Sequence, residues 1–239
     1  MGLTSVIMWI SHRGLNREAP ENTIKAFREA ERAGAAGIEL DVQITSEGVP
    51  VVFHDQTLGR LTQAKGKLTA RKLAQLLALR VKQQEGIPTL AEVLEKTSAP
   101  LFLDVKDPQG IRSMLKVAEP HKERVTFISF YPNVVARAKA AGFKTGLLTR
   151  TGIIGKLIAN RLKPNYFFIH SKHATPKIIS HFANRGVKVV AWGVENNKHA
   201  NELMQLGVHA VVADEPFHHV QLKLPSRFGR VKPMEEAHA

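Results

Sequence analysis

The sequence predicts a (β/α)8 TIM barrel with a β-hairpin extension after strand 2. Three observations carry the prediction. Nine apolar runs of strand length recur along the 239 residues, and helical segments separate most of them. Several of those helices stop at a glycine just before the next apolar run, at Gly34, Gly142, Gly186 and Gly207. Glycine past a helix accepts the left-handed conformation that turns the chain back toward a sheet.

The candidate strands are 6–11, 37–44, 50–54, 101–105, 125–130, 144–148, 166–170, 187–192 and 208–213. Helical patterns cover 22–33, 132–141, 175–185 and 196–206. Alternation of this kind argues for a parallel sheet with helices outside. Nine strands exceed the eight of a barrel, and the surplus lies in DVQITSEGVPVVFHD (41–55). The connection there is far shorter than the dozen or more residues a parallel crossover requires, so the two strands form an antiparallel hairpin. With Glu47-Gly48 as a two-residue turn, Asp41 stands opposite His54, and Glu39, Asp41 and His54 share one face. Residues 55–88 are the longest piece between strands, expected to form a loop and a helix near the barrel mouth. The expected organisation is one barrel domain over 1–224 and a weakly ordered tail over 225–239.

Composition narrows the functional classes. The chain is 44% hydrophobic and 23% charged, ordinary globular material able to bury a large core. It has no cysteine, which excludes thiolate catalysis, disulfides and Cys-ligated zinc. The apolar start lacks a basic n-region and is interrupted at His12, so it reads as a first strand rather than a signal peptide. No stretch is long enough for a membrane span, and the expected location is cytoplasmic. The net charge is +13, and from Arg124 to Val194 there are twelve Lys and Arg but no carboxylate. Such a half-chain attracts polyanions, although a solvated basic surface without a partner has the same composition.

Charge also appears where strands end: WISHRG (9–14), GIELDVQ (37–43), VVFHDQ (51–56) and LFLDVKD (101–107). In a barrel, C-terminal strand ends converge on one mouth, where chemistry is done. His12, Glu39, Asp41, His54, Asp104 and Lys106 can therefore meet. Three crowded carboxylates repel and raise one another's pKa unless a cation lies among them, and an all-oxygen set suits Mg²⁺ or Ca²⁺. Two histidines can take opposite proton duties. Ion pairing is the plainer use of the same residues: Glu39 and Asp41 with Lys106 or Arg13, and Asp104 with Lys106.

These residues carry a resemblance. SHRG, APENTIKAF, GAAGIELDVQITSEGVPVVFHD, IPTLAEVL and LFLDVKD, continued by VTFISFYP, VKVVAWGVEN and GVHAVVADEP, resemble the glycerophosphodiester phosphodiesterase family over nearly the whole chain. The resemblance implies a metal-dependent barrel enzyme that cleaves glycerophosphodiesters to glycerol 3-phosphate and an alcohol. It implies His12 and His54 as the acid–base pair and Glu39 and Asp41 as metal ligands, with Asp104 as the third. One divalent cation, Mg²⁺ or Ca²⁺, is the implied cofactor. Arg13 and Lys106 match groups that face the phosphate, and Trp192 matches the aromatic near the glycerol end; a core tryptophan is the plainer reading of Trp192. PENT is expected to cap the first helix through Asn22 or Thr23, with Glu21 near the helix's positive end.

The departures concern the pocket. Asp104 stands where the family usually has Glu, as in related barrel phospholipases D. Segment 55–88 is short where many relatives carry an inserted subdomain, and Gly193 and Glu195 replace the usual Thr and Asn. A thinner cover opens the mouth, so lysophospholipase D-type cleavage at a membrane surface is an alternative. TGIIGKLIANRL (151–162) bears on it: Ile153, Ile154, Leu157, Ile158 and Leu162 lie along one helical face flanked by Lys156 and Arg161. That face fits peripheral contact with an anionic membrane, but the favoured reading is an outer helix packing its apolar face on the strands. A non-catalytic polyanion-binding barrel is a distant third reading. Aromatics are only 6% and no nucleic-acid motif appears, so no specific nucleic-acid partner is expected. The sequence leaves the oligomeric state open.

Overall fold

A computed structural model of the chain describes residues 8–217. The strands are β1 (Trp9–His12), β2 (Gly37–Ile44), β3 (Pro50–Val52), β4 (Arg80–Val81), β5 (Glu85–Gly86), β6 (Leu101–Val105), β7 (Val125–Ser129), β8 (Lys144–Thr149), β9 (Tyr166–His170), β10 (Lys188–Trp192) and β11 (Ala210–Ala213). The α-helices are α1 (Ile24–Arg32), α2 (Leu73–Leu77), α3 (Leu90–Lys96), α4 (Ile111–Ala118), α5 (Pro132–Ala140), α6 (Gly152–Leu162), α7 (Pro176–Ala183) and α8 (Asn197–Gln205). Parallel pairing runs β1-β2-β6-β7-β8-β9-β10-β11 and returns to β1, closing an eight-stranded barrel with helices between strands. β3 lies antiparallel on β2 outside the ring, the expected hairpin arm. The expected tail, 225–239, and the first residues of the 6–11 strand lie outside the described residues.

Alternation along each strand separates two cores. Ile38, Leu40 and Val42 pack outward with Leu101, Leu103 and Val105 against Phe27, Ala30 and Val93 of α1 and α3. Ile10, Phe102, Ile128, Phe168, Val190 and Val212 fill the barrel interior, each from a different strand. Glu39, Asp41 and Asp104 occupy the inward face above that layer. The helix stops behave as expected: Gly34, Gly142, Gly186 and Gly207 have φ of +80°, +79°, +69° and +91°. α3 starts with a capping box, its Thr89 hydroxyl accepting from Glu92 N–H at 3.1 Å while Glu92 Oε2 accepts from Thr89 N–H at 2.9 Å.

The hairpin register differs from the expected one. Val42 pairs with Val52 and Ile44 with Pro50, so Phe53, not His54, faces Asp41 and donates its N–H to Asp41 O at 3.0 Å. The turn holds three residues, Ser46-Glu47-Gly48, with Thr45 N–H bonded to Val49 O at 2.9 Å and Gly48 at φ +76°. A left-handed glycine closing a three-residue loop adds one residue to the turn and moves every pair by one. His54 nevertheless reaches the site, because the strand ends at Val52 and the chain bends away there.

Segment 55–88 holds more than a loop and one helix. It carries two 3₁₀ turns, α2 and the small β4–β5 ribbon, and packs Leu58, Leu61, Leu68 and Leu76 with Val51 and Phe53 in a core of its own. α6 departs from the expectation that its whole apolar face packs on the strands. It faces the barrel with Gly155 and Ala159, holds Ile158 and Leu162 half-buried, and leaves Ile153, Ile154 and Leu157 exposed.

Candidate active site

Strand register brings the predicted residues together. Parallel pairing sets His12 beside Glu39 and Asp41 beside Asp104, while Glu39 and Asp41 are two apart on the same face of β2. The three carboxylates are buried, and one oxygen from each lies within 4.8 Å of the others. His54 lines the same cavity as Asp104 and Lys106.

Cations answer only part of this negative charge. Lys106 Nζ bonds Asp104 Oδ2 and stands 2.9 Å from Asp41 Oδ1, while Arg13 Nε stands 3.0 Å from Asp41 Oδ2. The ion pairs that the plain reading anticipated therefore exist for Asp41 and Asp104. Glu39 has no Lys or Arg within pairing distance among the described residues; its nearest partner is His12, Nε2 to Oε2 at 4.0 Å. Burial, then repulsion from Asp41, pushes the Glu39 carboxyl up to about 8. Burial likewise lifts Asp104 to about 6. Burial would raise Asp41 too, but Lys106 and Arg13 outweigh it and hold it below the usual range. Two basic side chains thus face three carboxylates. Glu39 Oε2 and Asp104 Oδ1 are buried and accept no hydrogen bond, and Asp41 Oδ1 has the Lys106 ammonium as its partner. Orphaned buried carboxylate oxygens are costly, and three buried carboxylates gathered this closely fit a hard divalent cation.

Each histidine is oriented by a carboxylate. His12 Nδ1 lies 2.7 Å from Asp214 Oδ1, at the end of β11, and His54 Nδ1 lies 2.6 Å from Asp55 Oδ1. Such partners place the proton on Nδ1 and leave Nε2 as the working nitrogen. Burial pushes the His12 imidazole down, but the Asp214 bond and the charge of Glu39 more than offset it, so its pKa is raised. Arg60 fixes Asp55 in turn, with Nε to Oδ2 at 2.5 Å, and draws its carboxyl down to about 2. The same Arg60 binds Glu21, which also accepts from Arg13 Nη1 at 2.8 Å. A chain of charged contacts therefore joins His54 to Arg13 across the mouth.

The PENT expectation is corrected in part. Thr23 caps α1, accepting from Ala26 N–H at 3.3 Å. Asn22 turns instead to the acidic cluster, donating from Nδ2 to Asp41 Oδ2 at 2.8 Å and accepting from Asp41 N–H at 3.2 Å. Glu21 serves the arginines. Arg13 and Asn22 hold φ near +59° and +58°, strain that a functional site sustains when its surroundings over-determine it.

A cavity of about 930 Å³ opens beside this cluster, lined by His54, Asp104 and Lys106 and by Phe130, Tyr131, Arg150 and Ile154 on its far side. Trp192 does not line it. The indole packs half-buried on the barrel interior and meets Phe130 edge to face at 6.3 Å and His170 at 4.5 Å. Sequence reasoning passed over Asp214, Asp55, Asn22 and Phe130 as site residues. Asp214 had a signal, since it ends the last strand as the chosen residues end the earlier ones.

Comparisons with known proteins point to one family. The model of the glycerophosphoryl diester phosphodiesterase family matches residues 12–145 and 125–218. A glycerophosphodiester phosphodiesterase of Caldanaerobacter subterraneus subsp. tengcongensis is 32% identical over 232 residues, 87% of this chain and 93% of that protein. A solved Oleispira antarctica phosphodiesterase, in complex with the product sn-glycerol-3-phosphate, superposes with a TM-score of 0.82 at 29% identity, covering 88% of this chain and 94% of that one. The Thermotoga maritima glycerophosphodiester phosphodiesterase shares the fold, with a TM-score of 0.78 at 24% identity over 87% and 94% of the two chains.

Proposed function

The chain belongs to the glycerophosphoryl diester phosphodiesterase family, and on that premise we propose that it hydrolyses glycerophosphodiesters to glycerol 3-phosphate and an alcohol. The observation that supports the reading best is a buried acidic triad, with orphaned oxygens on Glu39 and Asp104, flanked by two carboxylate-oriented histidines. A non-catalytic polyanion-binding barrel has no need of that arrangement.

Glu39, Asp41 and Asp104 would hold one divalent cation, Mg²⁺ or Ca²⁺, which supplies Lewis-acid polarisation of a phosphoryl oxygen. Arg13 and Lys106 face the phosphate and neutralise charge as the transition state forms. One imidazole Nε2 removes the proton from the nucleophile as its oxygen bonds phosphorus: water gives glycerol 3-phosphate directly, while the substrate's own 2-hydroxyl gives a cyclic phosphate that a water then opens. The other gives a proton to the departing alkoxide as the phosphorus–oxygen bond breaks. Asp214 and Asp55 hold the two rings in the tautomer these transfers require. Asn22 steadies Asp41, and Glu21, itself held by Arg60, fixes the Nη1 end of Arg13 while its Nε pairs with Asp41.

The size of the cavity favours a second substrate class, lysophospholipids, since its wall past Lys106 is aromatic and aliphatic. The test is release of glycerol 3-phosphate from glycerophosphocholine and glycerophosphoethanolamine, and of lysophosphatidic acid from lysophosphatidylcholine, with Mg²⁺, with Ca²⁺ and with chelator. Replacing His12 or His54 by alanine lowers kcat by roughly 10²–10⁴-fold. Full activity in either variant, or equal turnover in chelator, overturns the mechanism.

A further inference from the structure

Helix α6 meets the barrel with its smallest residues and turns its largest outward. Gly155 sits so close to β8 that a Cβ there would lie 2.4 Å from Thr149 Oγ1, and Gly155 and Ala159 are the helix's buried residues. Ile153, Ile154 and Leu157 are 80%, 64% and 68% exposed. Eight large hydrophobic side chains are exposed among the described residues, and five of them gather here, these three together with Phe130 and Tyr131. Phe130, Tyr131 and Ile154 line the one cavity that holds His54 and Lys106. Single exposed aliphatics are ordinary; a contiguous group beside a catalytic mouth marks a surface that meets an apolar phase.

The charge around the patch identifies that phase. Arg150 lies over the Phe130 ring at 5.4 Å, and Lys156, Arg161 and Lys163 belong to α6 and its C-terminus. No carboxylate occurs from Arg124 to Val194, so the patch has cations beside it and no acidic residue in the stretch of chain that carries it. A second copy would bring the same positive face and be repelled. Bases stack on aromatic rings, whereas the most exposed side chains here are aliphatic.

We propose that this face docks the protein on an anionic phospholipid bilayer, with Ile153, Ile154 and Leu157 at the acyl boundary and the neighbouring cations among head-group phosphates. Docking in this way sets the cavity opening at the membrane plane. The surface stands apart from the hydrolysis assigned above, because binding is read without turnover.

The experiment is co-sedimentation of the full chain with vesicles of phosphatidylcholine alone and of phosphatidylcholine with phosphatidylglycerol, at low and high salt. Glycerophosphocholine hydrolysis is followed in parallel. The wild type sediments with the anionic vesicles only and is released as salt rises. The uncharged double variant Ile153→Gln/Leu157→Gln, which alters neither net charge nor the cavity lining, loses at least about tenfold in partitioning, because two aliphatic side chains no longer leave water on docking. It keeps the wild type's turnover of the soluble substrate. Equal partitioning of variant and wild type overturns the proposal, since binding would then reside in other basic segments. Absence of wild-type binding to either vesicle overturns it too. So does a wild-type dimer that the variant dissociates, which would make the face a self-association surface.

Discussion

Replacing Glu39 by glutamine separates the cost of the acidic triad from its use. In the metal-free protein Glu39 is buried, and burial with repulsion from Asp41 pushes its carboxyl up to about 8, against 4.5 for an exposed glutamate. A folded-state value above the unfolded one means that the folded protein prefers the proton. Stability is therefore complete below pH 4.5, falls as pH rises, and levels off above 8. At about 1.4 kcal/mol per pH unit, the loss reaches up to about 5 kcal/mol. For a domain of this size that is on the order of 10 °C in Tm. Glutamine has the same shape and no charge to bury. In chelator, Glu39→Gln should match the wild type near pH 5 and exceed it near pH 9. Divalent cation should reverse the order, raising the wild type's Tm most at alkaline pH and the variant's little. Thermal unfolding at the two pH values, with and without Mg²⁺ or Ca²⁺, reads both effects. Parallel pH profiles for the two proteins in chelator would refute the electrostatic reasoning. An equal metal-induced rise in both would show that Glu39 is no ligand.

Two further outcomes follow from the groups behind the histidines. Asp214→Asn removes the carboxylate that fixes His12 Nδ1; kcat should fall, by up to about 10⁴-fold if the amide enforces the wrong tautomer. The limb of the kcat/KM–pH profile that reports His12 should move to lower pH, because the Asp214 bond is what raises that imidazole. An unmoved limb contradicts the pairing. Gln43 Nε2 donates to the carbonyls of Phe53, His54 and Asp55 at 2.8, 3.1 and 2.8 Å, pinning the segment that carries the second histidine. Gln43→Leu should cost about 1–3 kcal/mol of stability by stranding those acceptors, and should lower kcat more than it raises KM. Unchanged urea denaturation with unchanged kcat would show that the bend after β3 needs no such anchor.

The sequence by itself determined the barrel, because its evidence is local: strand-length apolar runs, helices between them, glycine stops, and one connection too short for a crossover. Strand ends were equally legible, so Glu39, Asp41, Asp104, His12 and Lys106 could be placed at one mouth without coordinates. Tertiary structure decided whatever depends on a single residue of register or on a partner far along the chain. The left-handed Gly48 lengthens the hairpin turn by one residue, so His54 arrives by a bend rather than by pairing opposite Asp41. Asp214 reaches His12 only because the last strand closes on the first. Asn22, read as a cap, is drawn to Asp41 because the loop it occupies folds back over β2. The apolar stripe of α6 read as a packing face, yet depth is set by backbone approach, and Gly155 and Ala159 allow the closest approach. Periodicity reports which side chains share a face. Which face the protein buries is settled by the shape of what lies beneath it.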